Sequence, residues 1–223
     1  MANWTRTPRP FNRKPVQGVG INDADYSIKR HELIDGKYKI VWECPFYKTW
    51  RAMITRCYSV KFLIKHPWYS NVRPCEEWLT FSNFRTWMEQ QDWEGKDLDK
   101  DLFGDGYTYS PECCIFLDPR LNTFIACSKR GTNPLGAFWH KGNQKYQVMV
   151  SDYDRKSVTL GYVGDPMQAH KMWLGAKIET MKKVIDLQTD GRIIKRLSEI
   201  KEKLEYCYDN NLEVESILDI PIY

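Results

Sequence analysis

The chain has 223 residues, is 42% hydrophobic and 28% charged, and carries 33 Lys and Arg against 29 Asp and Glu, for a formal net charge of +4. That length suits one large domain or two small ones, and that composition supports a buried core and excludes global disorder. No apolar run reaches the roughly 18 residues of a membrane span. The basic start MANWTRTPRPFNRKP lacks the apolar stretch of a secretory signal, so no membrane association and a cytoplasmic location are expected.

Seven cysteines without a Cys-x-x-Cys spacing read as reduced thiols, with a scattered zinc site from Cys44, Cys57 and Cys75 as the alternative. Cys113 and Cys114 are expected as one packed and one surface thiol. Nine Trp and 13 Tyr mean that aromatic rings fill the core and also serve flat interaction surfaces.

Residues 1–40 read as a basic arm. Arg6, Arg9, Arg13 and Lys14 stand among three prolines with no acid before residue 16, a composition that suits a solubilising tail or an arm along a phosphate backbone. Gly18-Val19-Gly20 lacks the third glycine of a nucleotide loop. A helix is predicted over Tyr47–Tyr58, with Trp50, Met53, Ile54, Cys57 and Tyr58 on one face. A second spans Ser82–Gln90, with Phe84, Trp87 and Met88 on one side. Residues 91–125 are irregular and hold six acids against two lysines between Asp92 and Asp105, either a solvated loop or a cation site.

Leu135–Trp139, Tyr146–Val150 and Val158–Tyr162 are predicted strands separated by turns. A helix follows, with Asp165 as N-cap, Pro166 at its first position and Gln168 completing a capping box. Ala169, Met172, Trp173, Ala176 and Thr180 share its predicted inner face. A last amphipathic helix over Arg192–Tyr208 puts Ile193, Ile194, Leu197, Ile200, Leu204 and Cys207 on one apolar side, for packing on the body in preference to a dimer contact.

Two segments carry chemistry. LDKDLFGDGYTYSPECCIFLDPRLNTF, residues 98–124, resembles the HNH endonucleases of tailed bacteriophages. Their ββα-metal finger runs from Asp-(His or basic)-x-Asp through a loop and a Pro-Glu-Asn-Cys-Arg-Trp strand to a downstream Asn or His. The upstream boxes WRAMITRCYS and WLTFSNF carry the same resemblance. It implies that Asp99 is the metal-binding acid and Asn122 the second ligand. Lys100 stands where the family has its general-base His, and Asp101 lies one residue from the family's second acid. Mg²⁺ or Mn²⁺ is the implied cofactor, because both ligands are oxygens. The chain's four histidines, His31, His66, His140 and His170, all lie outside this segment. The Asn and the Arg-Trp of the family strand are replaced by Cys and by Ile115-Phe116. A lysine of ordinary pKa is a poor base at neutral pH, so Lys100 is read as a phosphate-neutralising group, with water activated by Asp101, by the metal, or not at all.

GAFWHKGNQKYQVMVSDYDRKSVTLGYVGDPMQAHKMW, residues 136–173, resembles the ethylene-response-factor-type DNA-binding domain, a three-stranded sheet backed by a helix. Lys145, Gln147 and Met149 share one face of the second strand, and Tyr146, Val148 and Val150 the other. Trp139, Lys141, Lys145, Gln147, Arg155 and Lys156 are the expected DNA contacts.

The expected architecture is therefore α+β: an arm over 1–40, an HNH-like domain over 41–130, an ethylene-response-factor-like module over 131–184 and a C-terminal helix and tail over 185–223. The expected function is metal-dependent nicking or cutting of double-stranded DNA by a monomer, as in mobile phage endonucleases. A non-catalytic DNA-binding protein on the same scaffold is the alternative, and an RNA-binding protein using surface aromatics a third.

Overall fold

A computed structural model describes residues 13–128 and 131–218; the first 12 residues of the expected arm lie outside it. The fold is α+β, as expected. The chain divides into two compact units, the first ending at Phe116 and the second beginning at Leu117, 14 residues before the expected start of the second module.

In the first unit, residues 16–24 are packed rather than arm-like. Val16 and Gly20 close a small turn, Ile21 ladders against Leu79 and Phe81, and Ala24 is buried. Gly20 meets the Trp50 ring, where a Cβ would lie 3.0 Å from two ring carbons. Strands β1 (Lys29–Ile34) and β2 (Lys37–Glu43) form an antiparallel ribbon. Its two-residue turn is Asp35-Gly36, both at positive φ (54° and 72°), the pairing that a type I′ hairpin requires. The ribbon runs across the expected arm boundary at residue 40.

Helix α1 (Pro45–Tyr58) buries Tyr47, Trp50, Met53, Ile54 and Cys57, the predicted face shifted by one residue at its ends. The short helix α2 (Val60–Lys65) buries none of its side chains. Strand β3 (Arg73–Pro74) leads to α3 (Phe81–Met88), which buries Phe81, Phe84 and Met88. These faces meet in one aromatic core. Trp50, Tyr47 and Phe81 lie 5.5–5.6 Å apart, and Trp78 packs on Phe84 at 5.0 Å and on Trp87 at 4.6 Å. The buried Trp50 indole donates to the Trp78 carbonyl at 2.7 Å, so burial leaves its polar edge satisfied. Strands β4 (Asp97–Asp99), β5 (Thr108–Tyr109) and β6 (Ile115–Leu117) are short; β3 pairs with β5 in parallel and β4 pairs with β6. Cys114 is buried as the expected packed thiol, while Cys113 is half-buried rather than a surface thiol.

The second unit opens with α4 (Pro119–Ile125), capped by Asp118, which accepts from Arg120 N at 2.7 Å. Strands β7 (Ala137–His140), β8 (Lys145–Ser151) and β9 (Ser157–Val163) form an antiparallel sheet in that order, as predicted. Helix α5 (Pro166–Asp186) lies against this sheet. Its cap matches prediction: the Asp165 carboxylate accepts from Gln168 N at 2.7 Å. The buried stripe differs. Ala169, His170, Trp173, Leu174, Lys177, Ile178, Met181 and Val184 are buried, while Met172, Ala176 and Thr180 sit at the margin. His170 explains part of the rotation. Its Nδ1 bonds the Leu135 carbonyl at 2.9 Å and its Nε2 accepts from Val214 N at 3.0 Å, so the polar ring ties two loops to the helix. Gly136 (φ +82°) lies on the Trp173 indole. Helix α6 (Gly191–Asp209) packs on α5 and buries Ile193, Leu197, Ile200 and Leu204; Ile194 and Cys207 stay half-buried.

Candidate functional site

The loop after β4 holds three of the singled-out residues, and they have different fates. Asp99 ends β4 and is 4% exposed. Its Oδ1 accepts from Asp101 N at 3.1 Å and from Leu102 N at 2.8 Å, so it caps the turn that leads away from the strand. Among the described residues none donates to Oδ2. Burial pushes the Asp99 carboxyl up to about 6; the two backbone bonds and Lys100 oppose the shift, and the Asp101 charge adds to it.

Lys100 is 6% exposed and turned inward. Its Nζ donates to Asp101 Oδ1 at 2.5 Å and to the Gly106 carbonyl at 2.6 Å, and lies 5.4 Å from the Tyr69 ring centroid and 5.9 Å from that of Tyr109. The ammonium is spent holding the loop, which corrects its reading as a phosphate-neutralising group. Two features shape its socket. Asp105 accepts from Tyr107 N, Thr108 N and the Thr108 hydroxyl, fixing the turn that presents the Gly106 carbonyl. Gly104 crosses so close to Lys100 that a Cβ would lie 2.3 Å from the Lys100 carbonyl oxygen. Lys100→Met should therefore cost about 2 kcal/mol in a urea titration, because it strands a buried carbonyl and a partnered carboxylate.

Sequence reasoning missed the groups around this loop. Arg56 hydrogen-bonds the Tyr109 phenol, and Arg73 donates to the Cys57 carbonyl beneath the Tyr58 ring. The signal was present: Arg56, Cys57 and Tyr58 are the Arg-Cys-Tyr of the box whose Trp50 and Met53 were read as core.

Asn122, half-buried on α4, belongs to the second unit, and no described residue bonds its side-chain amide. The oxygen types of Asp99 and Asn122 suit a hard divalent cation, and each has an oxygen to offer. Asp101 is committed to Lys100. Among the described residues no group of three or more His, Cys, Asp or Glu side chains could hold a metal, and Cys44, Cys57 and Cys75 form no such group.

The sheet of the second unit has one covered and one open face. Ala137 pairs with Val148, and Gly161 beyond it lies near Met172 of α5, which defines the covered face. Alternation puts Trp139 and Tyr146 on that same side, where their rings meet at 5.1 Å. Trp139 therefore differs from Lys145 and Gln147, which lie on the open face as expected. The open face is more aromatic than expected. Phe138, Gln147 and Tyr162 form one cross-strand row, with Phe138 53% and Tyr162 40% exposed. His140 packs edge-on against Tyr162 at 5.4 Å, and Gln147 bonds Thr159 at 2.9 Å. Lys141 stands exposed in the β7–β8 turn, and Arg155 and Lys156 in the β8–β9 turn. Asp152 fixes the latter by accepting from Lys156 N at 2.8 Å, with Arg155 at φ +66°.

Among the described residues no helix is long and apolar enough to cross a membrane. No protein-family model, curated protein or solved structure matches this chain.

Proposed function

We propose that this chain is a metal-dependent endonuclease that nicks double-stranded DNA, with the sheet of its second unit as the DNA-binding face. The observation that carries this reading is Asp99. A carboxylate is buried against its own charge, one oxygen is used for a turn and the other is left unbonded; ligand and catalytic groups are often held under such strain. On this reading Asp99 Oδ2 would be the oxygen offered to Mg²⁺ or Mn²⁺. The cation would neutralise charge on a scissile phosphate and its leaving oxygen. Lys100 keeps Asp101 and the loop in place beside Asp99, and Arg56 of α1 bonds Tyr109 of β5, whose ring lies beside the Lys100 ammonium.

On the DNA side, the exposed Lys141, Arg155 and Lys156 would contact phosphates, and Phe138, Gln147 and Tyr162 would meet base edges and thymine methyls. Replacing Lys145 with Gln and Arg155 with Asn together should lower the salt slope of duplex binding by about two, measured by fluorescence anisotropy across a salt series. Phe138→Ala should weaken binding roughly tenfold, about 1.4 kcal/mol, at every salt concentration.

The inward commitment of Lys100 and the lack of histidine in this loop favour a second reading, a DNA-binding protein without cleavage. Supercoiled plasmid incubated with the full chain separates the two. Open circles that form only with Mg²⁺ or Mn²⁺ support the nuclease. Retarded but intact plasmid under every metal condition supports the binder.

A further inference from the structure

Lys177 lies in the middle of α5, and 1% of it is exposed. Its Nζ donates to the Phe124 carbonyl at 2.6 Å, sits 3.4 Å from the Phe124 ring centroid and lies 3.5 Å from Cys127 Sγ. Burial lowers the pKa of this ammonium, which favours the neutral amine. Cys127 is held through its backbone: its N–H donates to Ile125 at 2.8 Å and its carbonyl accepts from Ile217 N at 3.0 Å. Lys177 and Cys127 both border a cavity of about 600 Å³, lined also by Thr132, Asn133 and Trp173, through which a small oxidant can reach the sulfur. The proposed DNA chemistry uses neither residue.

We propose that Cys127 and Lys177 form a peroxide-driven covalent switch, a sulfenamide bond between Sγ and Nζ. The Cys127 thiolate attacks one oxygen of hydrogen peroxide, the O–O bond breaks, and a sulfenic acid and one water result. The neutral Lys177 amine then attacks the sulfenic sulfur. The S–O bond breaks, and the departing hydroxide takes the amine proton as a second water. One thiol, one amine and one peroxide thus become one S–N bond and two waters. A small thiol reverses the step: it attacks Cys127 Sγ, the amine leaves with a proton, and a second thiol resolves the mixed disulfide. The bond would tie the segment after α4 to α5.

The full chain, treated with hydrogen peroxide, alkylated with iodoacetamide and digested with trypsin without reductant, tests this by peptide mass spectrometry. The expected product joins residues 121–129 to residues 172–182, uncut at Lys177. It should be about 2 Da lighter than the two reduced peptides together and should vanish after dithiothreitol. Cys127→Ser should abolish it. Cys127 recovered only as a dimedone-trapped sulfenic acid, or in a disulfide without Lys177, overturns the proposal. So does an equal yield from chain unfolded in guanidinium, because the folded geometry would then play no part. The readout does not depend on cleavage of DNA, so it stands or falls separately from the nuclease reading.

Discussion

Asp99→Asn should abolish metal-dependent nicking while making the folded chain more stable at pH 7. The carboxyl is pushed from its ordinary 3.8 to about 6, chiefly by burial. The folded state therefore holds this proton more tightly than the unfolded chain does. That advantage is complete below about pH 4 and is lost as pH rises through 6. A shift of about two units corresponds to about 3 kcal/mol of penalty at pH 7. Asparagine carries no charge to bury, and its Oδ1 can still accept from Asp101 N and Leu102 N. Urea unfolding at pH 7 should show the variant more stable by up to that amount, with the gain vanishing near pH 4. Mg²⁺ should raise the unfolding midpoint of the native chain and leave that of the variant unmoved. A variant less stable at pH 7 would make Asp99 a structural cap, and the nuclease reading would lose its main support.

Gly136→Ala should cost on the order of 3–5 kcal/mol, among the largest effects of any single methyl group in this chain. Two penalties coincide. Gly136 sits at φ +82°, a region that side chains rarely adopt, and an added Cβ would lie 2.2–2.4 Å from the Cβ, Cγ and Cδ1 atoms of Trp173. Trp173 cannot retreat, because it is buried and stacked on His170 at 5.8 Å, and His170 is itself bonded to Leu135 and Val214. Thermal unfolding should drop by about 10 °C. Gly131→Ala, with open space around it, is the control and should change little. DNA affinity should fall with the sheet, because Gly136 also accepts Met149 N through its carbonyl at 3.1 Å and so anchors β7 to β8.

Periodicity revealed what periodicity controls. The inner face of α1, the three strands of the sheet, the Asp165 cap and the apolar side of α6 follow from spacing and turn chemistry alone. The buried stripe of α5 did not, because two of its members are polar. His170 and Lys177 are inside only because distant carbonyls at Leu135 and Phe124 receive their protons. The same holds for Lys100, whose position in the motif is readable but whose partners, Gly106, Tyr69 and Tyr109, are set by how the loop closes. Residues 16–24 read as an arm together with the basic, proline-rich segment before them, yet Gly20 is the residue that lets the chain lie against Trp50. On the sheet, Phe138 stands on the open face and Trp139 on the face that α5 lines, where it stays half exposed: β7 begins at Ala137, directly after Gly136, and that start decides which side each ring takes.

The β1–β2 ribbon follows its own kinetics. Its pairings all join residues no more than 14 apart in sequence, from Ile34 with Lys37 to Lys29 with Glu43, and Leu33, Tyr38 and Ile40 stay exposed. Such a hairpin can close within about 1–10 μs, well before the long-range contacts of the aromatic core exist. It can open again without disturbing them, since few buried apolar groups hold it. Amide protons of Leu33 and Tyr38 should accordingly exchange with solvent deuterium far sooner than those of Met53 and Ile54 in α1, giving the first unit a fast-breathing finger on a slow body.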